Sequence, residues 1–261
     1  MGEVERYPNG TFCWIDLATT DVAAAKAFYG ELFGWEAEEQ PAGEHGVYTI
    51  CRLNGRNVAG LHEQVEGQAP GWGSYICVDD VDQATARAKE LGAAVLVEPF
   101  GTPGGGRVSV VADPSGAAVS LSRPGEGFGA GLVNEVGTWT WNELTSADLD
   151  AAKRFYGELL GWSSEDAPGP IPRTTFTLGN LLAGGGHAPA PQEDPSPRWT
   201  VSFRVADADQ TAAEVQKLGG TVLLPPMDVP VGRFTIVGDP AGAVFSASAV
   251  PGGAFRGVDG S

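Results

Sequence analysis

The 261-residue chain is short of cysteine, histidine and basic residues. Its three cysteines are an odd number confined to the first half, which argues against a disulfide framework and fits a reducing, cytoplasmic compartment. Only 16 Lys and Arg stand against 33 Asp and Glu, and a net charge of −17 repels nucleic acid and anionic membranes. No run of about 18 apolar residues occurs, and MGEVERYPNG lacks a signal-peptide core, so we expect no membrane segment.

What the chain does contain is an internal repeat. AAKAFYGELFGW at 24–35 returns as AAKRFYGELLGW at 151–162, and DPSG at 113–116 returns as DPAG at 239–242. Self-similarity at one long period indicates a tandem duplication. We predict a first domain at 9–123, a Gly-rich linker at 124–135 and a second domain at 136–250.

A fainter repeat inside each half predicts four smaller units. VDDVDQATARAKELGA at 78–93 has the same order of strand end, acidic cap, helix and Leu-Gly as the segment at 17–34. Each unit is predicted to contain one strand, one helix and three further strands. Apolar residues of the first helix recur at i, i+3 and i+4, and Gly34 supplies its stop. The repeated phrase FYGELFGW is therefore expected to pack in the core, and DPSG and DPAG are expected to form type I turns.

These paired βαβββ units resemble the vicinal oxygen chelate superfamily, which includes glyoxalase I, bleomycin-resistance proteins and extradiol dioxygenases. The resemblance rests on D-x-x-x-A-x-x-F-Y near the start and D-P-x-G near the end of each half. In particular, the chain resembles two-domain actinobacterial glyoxalase-like proteins of a group described as hydroxylases. It implies an α+β fold in which four βαβββ units form two tandem incomplete-barrel domains. Each domain then has a concave face, here called a cup, that holds a site.

The metal ligands of that superfamily are missing at the matching positions. Where the superfamily has its first His, the two halves have Trp14 and Trp141. Gly73 and Thr200 stand in place of the second His, and Ser120 and Ser246 stand in place of the Glu. The fourth position has no landmark, although His62, Glu63 and His187 lie near it. One ligand in each cup cannot hold Zn²⁺ or Fe²⁺. We therefore expect neither a metal nor another cofactor.

Strand alternation predicts what lines the cups instead, because every second side chain of a strand faces the same side. The predicted catalytic residues are Asp16 and Glu143, and the predicted ligand-binding residues are Trp14, Tyr75, Ser120, Trp139, Trp141, Arg204 and Ser246. Such a lining suits a planar, largely apolar molecule. Alternatively the tryptophans fill the cups as core and the acids lie on a solvated rim. Arg107 and Arg233 could reach a ligand, but structural ion pairs are the favoured interpretation.

Three functions follow from this lining. The first is a binding protein that sequesters an aromatic or quinone-like molecule. The second is a cofactor-free oxygenase or hydroxylase in which Asp16 or Glu143 acts as general base. The third, a metal-dependent glyoxalase-like lyase, is the least favoured because the ligands are missing. The expected partner is a small molecule, and the chain is expected to be a monomer or a homodimer.

Overall fold

The computed structural model describes residues 2–250 except positions 5, 43–45, 66–67, 126–128, 170 and 192. Residues 126–128 of the predicted linker lie outside the described residues, and the predicted domain boundaries stay a prediction. None of the helices in the described ranges has the length and apolar content needed to span a bilayer.

The first half contains two βαβββ units, as predicted. Their elements are β1 Phe12–Thr19, α1 Val22–Phe33, β2 Glu36–Pro41, β3 Val47–Leu53, β4 Arg56–Glu63, β5 Gly71–Cys77, α2 Val81–Glu90, β6 Ala94–Thr102, β7 Gly106–Ala112 and β8 Ala118–Arg123. They form one sheet in the order β2-β3-β4-β1-β5-β8-β7-β6. The two units meet where β1 runs antiparallel to β5.

The second half repeats this arrangement. Its elements are β9 Trp139–Thr145, α3 Leu149–Leu160, β10 Ser163–Ala167, β11 Arg173–Leu178, β12 Leu181–His187, β13 Arg198–Arg204, α4 Ala208–Lys217, β14 Thr221–Val229, β15 Gly232–Gly238 and β16 Val244–Ala249. The sheet order is β10-β11-β12-β9-β13-β16-β15-β14. Neither sheet closes into a barrel within the described ranges, which confirms the predicted α+β fold of two incomplete barrels.

Helix ends and turns form where the sequence places them. Asp21 and Asp148 each accept a hydrogen bond from a free backbone amide in the first turn, at 2.9 and 2.8 Å. Gly34 and Gly161 end α1 and α3 with φ of 74° and 75°, a left-handed conformation that favours glycine. These local signals recur at the same places in both halves because the chain is a duplication.

The repeated FY and D-P-x-G motifs bind each other across the two halves. Tyr29 of α1 donates to Asp239 of the second half at 3.1 Å, and Trp72 Nε1 donates to the Tyr29 hydroxyl at 3.1 Å. In the mirror arrangement, Tyr156 donates to Asp113 at 2.9 Å and accepts from Trp199 at 2.8 Å. Burial raises the pKa of both tyrosines, and the facing carboxylates raise it further, so both hydroxyls keep the proton that they donate.

Aromatic rings complete the contact between the halves. Trp35 donates to the carbonyl of Gly137, and Trp162 donates to the carbonyl of Gly10, both at 2.7 Å. Phe12 reaches across to Trp199, with ring centroids 5.1 Å apart. The buried apolar side chains of both halves therefore form one continuous core, so the phrase FYGELFGW is structural, as predicted.

The two arginines after the Gly-rich stretches make ion pairs with helices. Arg107 contacts both carboxylate oxygens of Asp82 at 2.6 and 2.7 Å. Arg233 contacts Asp209 in the same way at 2.6 and 2.9 Å. All four side chains are substantially exposed, so each pair contributes little to stability. This geometry fits the structural interpretation of both arginines.

The buried tyrosine bonds between the halves predict a stability effect. Tyr29→Phe and Tyr156→Phe should each lower the free energy of unfolding by about 1–3 kcal/mol, because a buried carboxylate oxygen and an indole N–H lose their shared partner. Chemical denaturation measures the change. Arg107→Gln, which removes an exposed ion pair, is the control and should have a smaller effect. Equal effects of all three substitutions would contradict this account.

Candidate functional site

The carboxylate of the first cup is enclosed by tyrosines. Asp16 of β1 accepts hydrogen bonds from Tyr75 at 2.6 Å and from Tyr48 at 3.1 Å, both on Oδ2. His62 Nε2 lies 3.6 Å from the same oxygen. Trp14 Nε1 donates to the Tyr48 hydroxyl at 2.7 Å. The aromatic and acidic residues of this cup therefore bond to one another.

This network fills the first cup. Trp14 is fully buried and Asp16 is 4% exposed. The phenol oxygen of Tyr48 lies so close to Gly60 that it would overlap a Cβ at that position. Burial raises the pKa of Asp16, although His62 and the two tyrosines oppose the rise. Trp14 is thus buried as the alternative expects, but Asp16 is buried as well and does not lie on the solvated rim that this alternative also expects.

The carboxylate of the second cup is more open. Glu143 of β9 accepts from Trp141 Nε1 at 2.6 Å on Oε2. His187 Nδ1 lies 3.3 Å from Oε1, and Arg173 Nη1 lies 3.6 Å from the same oxygen. The Glu143 side chain is 24% exposed, whereas the Asp16 side chain is 5% exposed. This cup therefore holds an oriented and partly exposed carboxylate.

Two substitutions between the repeats explain the difference. Tyr48 pairs with His62 in the first sheet, whereas Arg173 pairs with His187 in the second. Tyr75 stands opposite Trp14, whereas Ser202 stands opposite Trp141. Both phenol rings that cover Asp16 are thus replaced in the second cup, by a longer charged side chain and by a small hydroxyl.

His187 is held between two carboxylates. Its Nε2 lies 3.1 Å from Glu193 Oε2, on the side away from Glu143. Glu193 also accepts from Arg198 at 2.7 Å and from the backbone N–H of Ala190 at 3.1 Å. Burial opposes protonation of His187, but the two carboxylates outweigh it and raise its pKa. Burial raises the pKa of Glu193, whereas the backbone N–H of Ala190, His187 and Arg198 lower it. The net effect is a lowered pKa.

The predicted serines lie beside the strand partners just described. Ser120 is buried and pairs with Tyr75, and Ser246 pairs with Ser202. Ser248 Oγ lies 2.9 Å from Ser202 Oγ and 3.4 Å from Ser246 Oγ. The second cup thus has the hydroxyl of Ser202 where the first has the phenol ring of Tyr75, whereas the neighbouring strand carries serines in both cups.

Two predicted ligand-binding residues lie elsewhere. Trp139 donates to Asn142 at 2.6 Å and packs on Phe12, with ring centroids 6.4 Å apart. A register shift between Trp139 and Trp141 breaks the alternation that placed both on one face. The guanidinium of Arg204 donates to the carbonyls of Asn134 at 2.7 Å and Val250 at 3.3 Å. Those bonds hold it to the backbone before β9 and after β16.

The sequence interpretation missed Tyr48, Arg173 and Glu193. The first two are on hairpin strands whose register the sequence does not reveal, and Glu193 is in the segment before β13. The one sequence signal for these contacts was that His62 and His187 occupy similar places in the two halves. Both histidines do face the cup carboxylates.

The residues present do not fit the divalent metal of the superfamily. Trp14 and Trp141 stand where its first His is expected, and an indole is no metal ligand. Among the described residues no group of three or more His, Cys, Asp or Glu is arranged to hold an ion. Glu143 and Glu193 contact opposite nitrogens of His187, so these three side chains do not converge on one point.

Comparison with known proteins gives two family matches. A family model described as the Glyoxalase/Bleomycin resistance protein/Dioxygenase superfamily matches residues 11–121, and one described as a glyoxalase-like domain matches 141–248. CFP32 of Mycobacterium tuberculosis, which carries a provisional glyoxylase name, is 42% identical over 255 residues, or 94% of this chain and 97% of that protein. The anthracycline biosynthesis protein DnrV of Streptomyces peucetius is 33% identical over 257 residues, or 92% and 94%.

Solved structures share the fold. The Mn(II)-bound glyoxalase of Novosphingobium aromaticivorans superposes with a TM-score of 0.64 at 20% identity, covering 95% of this chain and 83% of that one. The 2,2',3-trihydroxybiphenyl 1,2-dioxygenase of Sphingomonas wittichii gives 0.61 at 17% identity, covering 93% and 92%. At these identities the likeness extends to the fold alone.

The raised pKa of His187 predicts a pH-dependent stability. Folding raises the pKa of His187, so its imidazolium form stabilises the folded state. This stabilisation is complete below the pKa of an unfolded histidine, about 6.5. It is lost as the pH rises through the raised pKa of the folded state. The difference in unfolding free energy between wild type and His187→Gln should therefore be largest near about pH 6 and shrink toward about pH 9. Denaturation across this range measures it. A difference that grows with pH would contradict the assignment.

Proposed function

Because the chain belongs to the glyoxalase/bleomycin resistance/dioxygenase superfamily, we propose that it binds a planar, largely apolar aromatic or quinone-like molecule in its second cup, without a protein-bound metal. The observation that carries this proposal is the replacement of Tyr48 and Tyr75 by Arg173 and Ser202. Asp16 of the first cup is buried under two phenols, whereas Glu143 of the second cup stays partly exposed beside a half-buried indole.

The chemistry of the second cup suits such a ligand. Trp141 offers a ring for stacking, which is worth roughly 0.5–1.5 kcal/mol beyond area burial. Glu143, whose two oxygens already accept from Trp141 and face His187, offers an anchored acceptor for a polar group on the ring edge. Ser202 is smaller than the tyrosine that it replaces, which favours a ring beside Trp141. DnrV, named for anthracycline biosynthesis, supports an aromatic natural product as the ligand class.

Binding serves either sequestration or a tailoring reaction. A specific observation favours the second candidate, a cofactor-free oxygenase or hydroxylase: the cup carboxylate is paired with a histidine, a combination that can move protons. We propose that the chain acts in the cytoplasm as a monomer or a homodimer.

Ligand titrations with anthraquinone test this proposal. Trp141→Ala should weaken binding by about tenfold and Trp141→Phe by less, because a phenyl ring retains part of the stacking. Intrinsic fluorescence quenching, with and without EDTA, measures the affinity. Trp14→Phe is the matched control in the first cup and should leave the affinity unchanged, as should EDTA. Loss of binding with EDTA, or dependence on Trp14 in place of Trp141, would contradict the proposal.

A further inference from the structure

His187 links the carboxylate of the second cup to a second carboxylate, that of Glu193, in the segment before β13. Its Nδ1 faces Glu143 at 3.3 Å and its Nε2 faces Glu193 at 3.1 Å. Glu193 is fixed by Arg198, by the backbone N–H of Ala190 and by the hydroxyl of Thr145, which donates at 3.2 Å. Because Glu193 is an acceptor, it holds the Nε2 proton and leaves Nδ1 to exchange a proton with Glu143.

The first cup has a histidine at the same place in a different setting. His62 Nε2 lies 3.6 Å from Asp16, but its Nδ1 faces the backbone carbonyl of Glu63 at 3.0 Å. The acid beside it is already bonded by two phenols. His62 therefore provides a built-in comparison for the role of His187.

The charges around His187 balance closely. Glu143 and Glu193 are negative, and Arg173 and Arg198 are positive at 3.6 and 2.7 Å from those two carboxylates. The carboxylates make His187 a stronger base than a free imidazole. Arg173, on the strand next to His187, supplies positive charge where a negative ligand oxygen would form.

Resting on the proposed function, we infer that the second cup is an acid–base site that removes the proton from a ring hydroxyl of a hydroxy-aromatic ligand. With His187 in its neutral form, the O–H bond of the ligand breaks and its proton passes to Glu143, which returns to the carboxylate as a new N–H bond forms at His187 Nδ1. The products are a ring oxyanion and an imidazolium, and no electrons are gained or lost. Glu143 is the catalytic residue, His187 the final proton acceptor and Glu193 a positioning residue.

The experiment uses the full chain with two probes, 2-hydroxyanthraquinone and anthraquinone. The absorption spectrum of bound 2-hydroxyanthraquinone, followed over pH, reports the ionisation of its hydroxyl. The apparent pKa of this hydroxyl should fall by about one unit on binding, roughly a tenfold change in the ionised ratio. His187→Gln should abolish the fall, Glu193→Gln should reduce it, and the matched control His62→Gln should retain it.

Anthraquinone has no hydroxyl and reports binding alone. If both probes bind but the hydroxyl keeps its solution pKa, or if His187→Gln retains the fall, this inference is overturned while the proposed function stands. If the Glu193→Gln variant shows the full fall, the positioning role is overturned. If neither probe binds, both the proposed function and this inference fail.

Discussion

The two buried tyrosine hydroxyls that cross between the halves are the contacts on which the architecture depends. Tyr29 and Tyr156 are fully buried, and each sits between an indole N–H of its own half and a carboxylate of the other. A buried donor without a partner is costly, so each half is complete only when docked on the other. The same carboxylates, Asp113 and Asp239, also accept backbone amides of their own turns. These bonds thereby fix the two halves in one relative arrangement.

With the scaffold shared, the two cups are free to differ. Buried apolar side chains of both halves supply the common core. In the first cup, two tyrosines close over Asp16 and turn the concave face into packing. In the second, Arg173 and Ser202 leave Glu143 accessible and bring positive charge to its edge. In our proposal, the first half serves mainly structure, and the second half binds the ligand and transfers the proton.

The sequence predicts the fold well because its signals are local and repeated. The helix cap at Asp21, the helix end at Gly34 and the D-P-x-G turns each depend on a few neighbouring residues. Each of these signals occurs once in each half of the duplicated sequence. The cup lining depends on long-range register, which the sequence does not encode locally. A single register shift in β9 moves Trp139 to the opposite face, and hairpin pairing decides that Tyr48 and Arg173 occupy equivalent places. Strand alternation is a local signal, and the structure places Trp14 near Asp16 through Tyr48 and Trp141 next to Glu143.

The central claim is that a ligand enters the second cup because the first is filled by its own side chains. A crystal structure of the chain with 2-hydroxyanthraquinone tests it most directly. The account predicts the ring stacked on Trp141 with its oxygen within hydrogen-bond distance of Glu143, while Tyr48 and Tyr75 stay bonded to Asp16. A ring bound in the first cup with those tyrosines displaced, or one held through a metal ion, would contradict it.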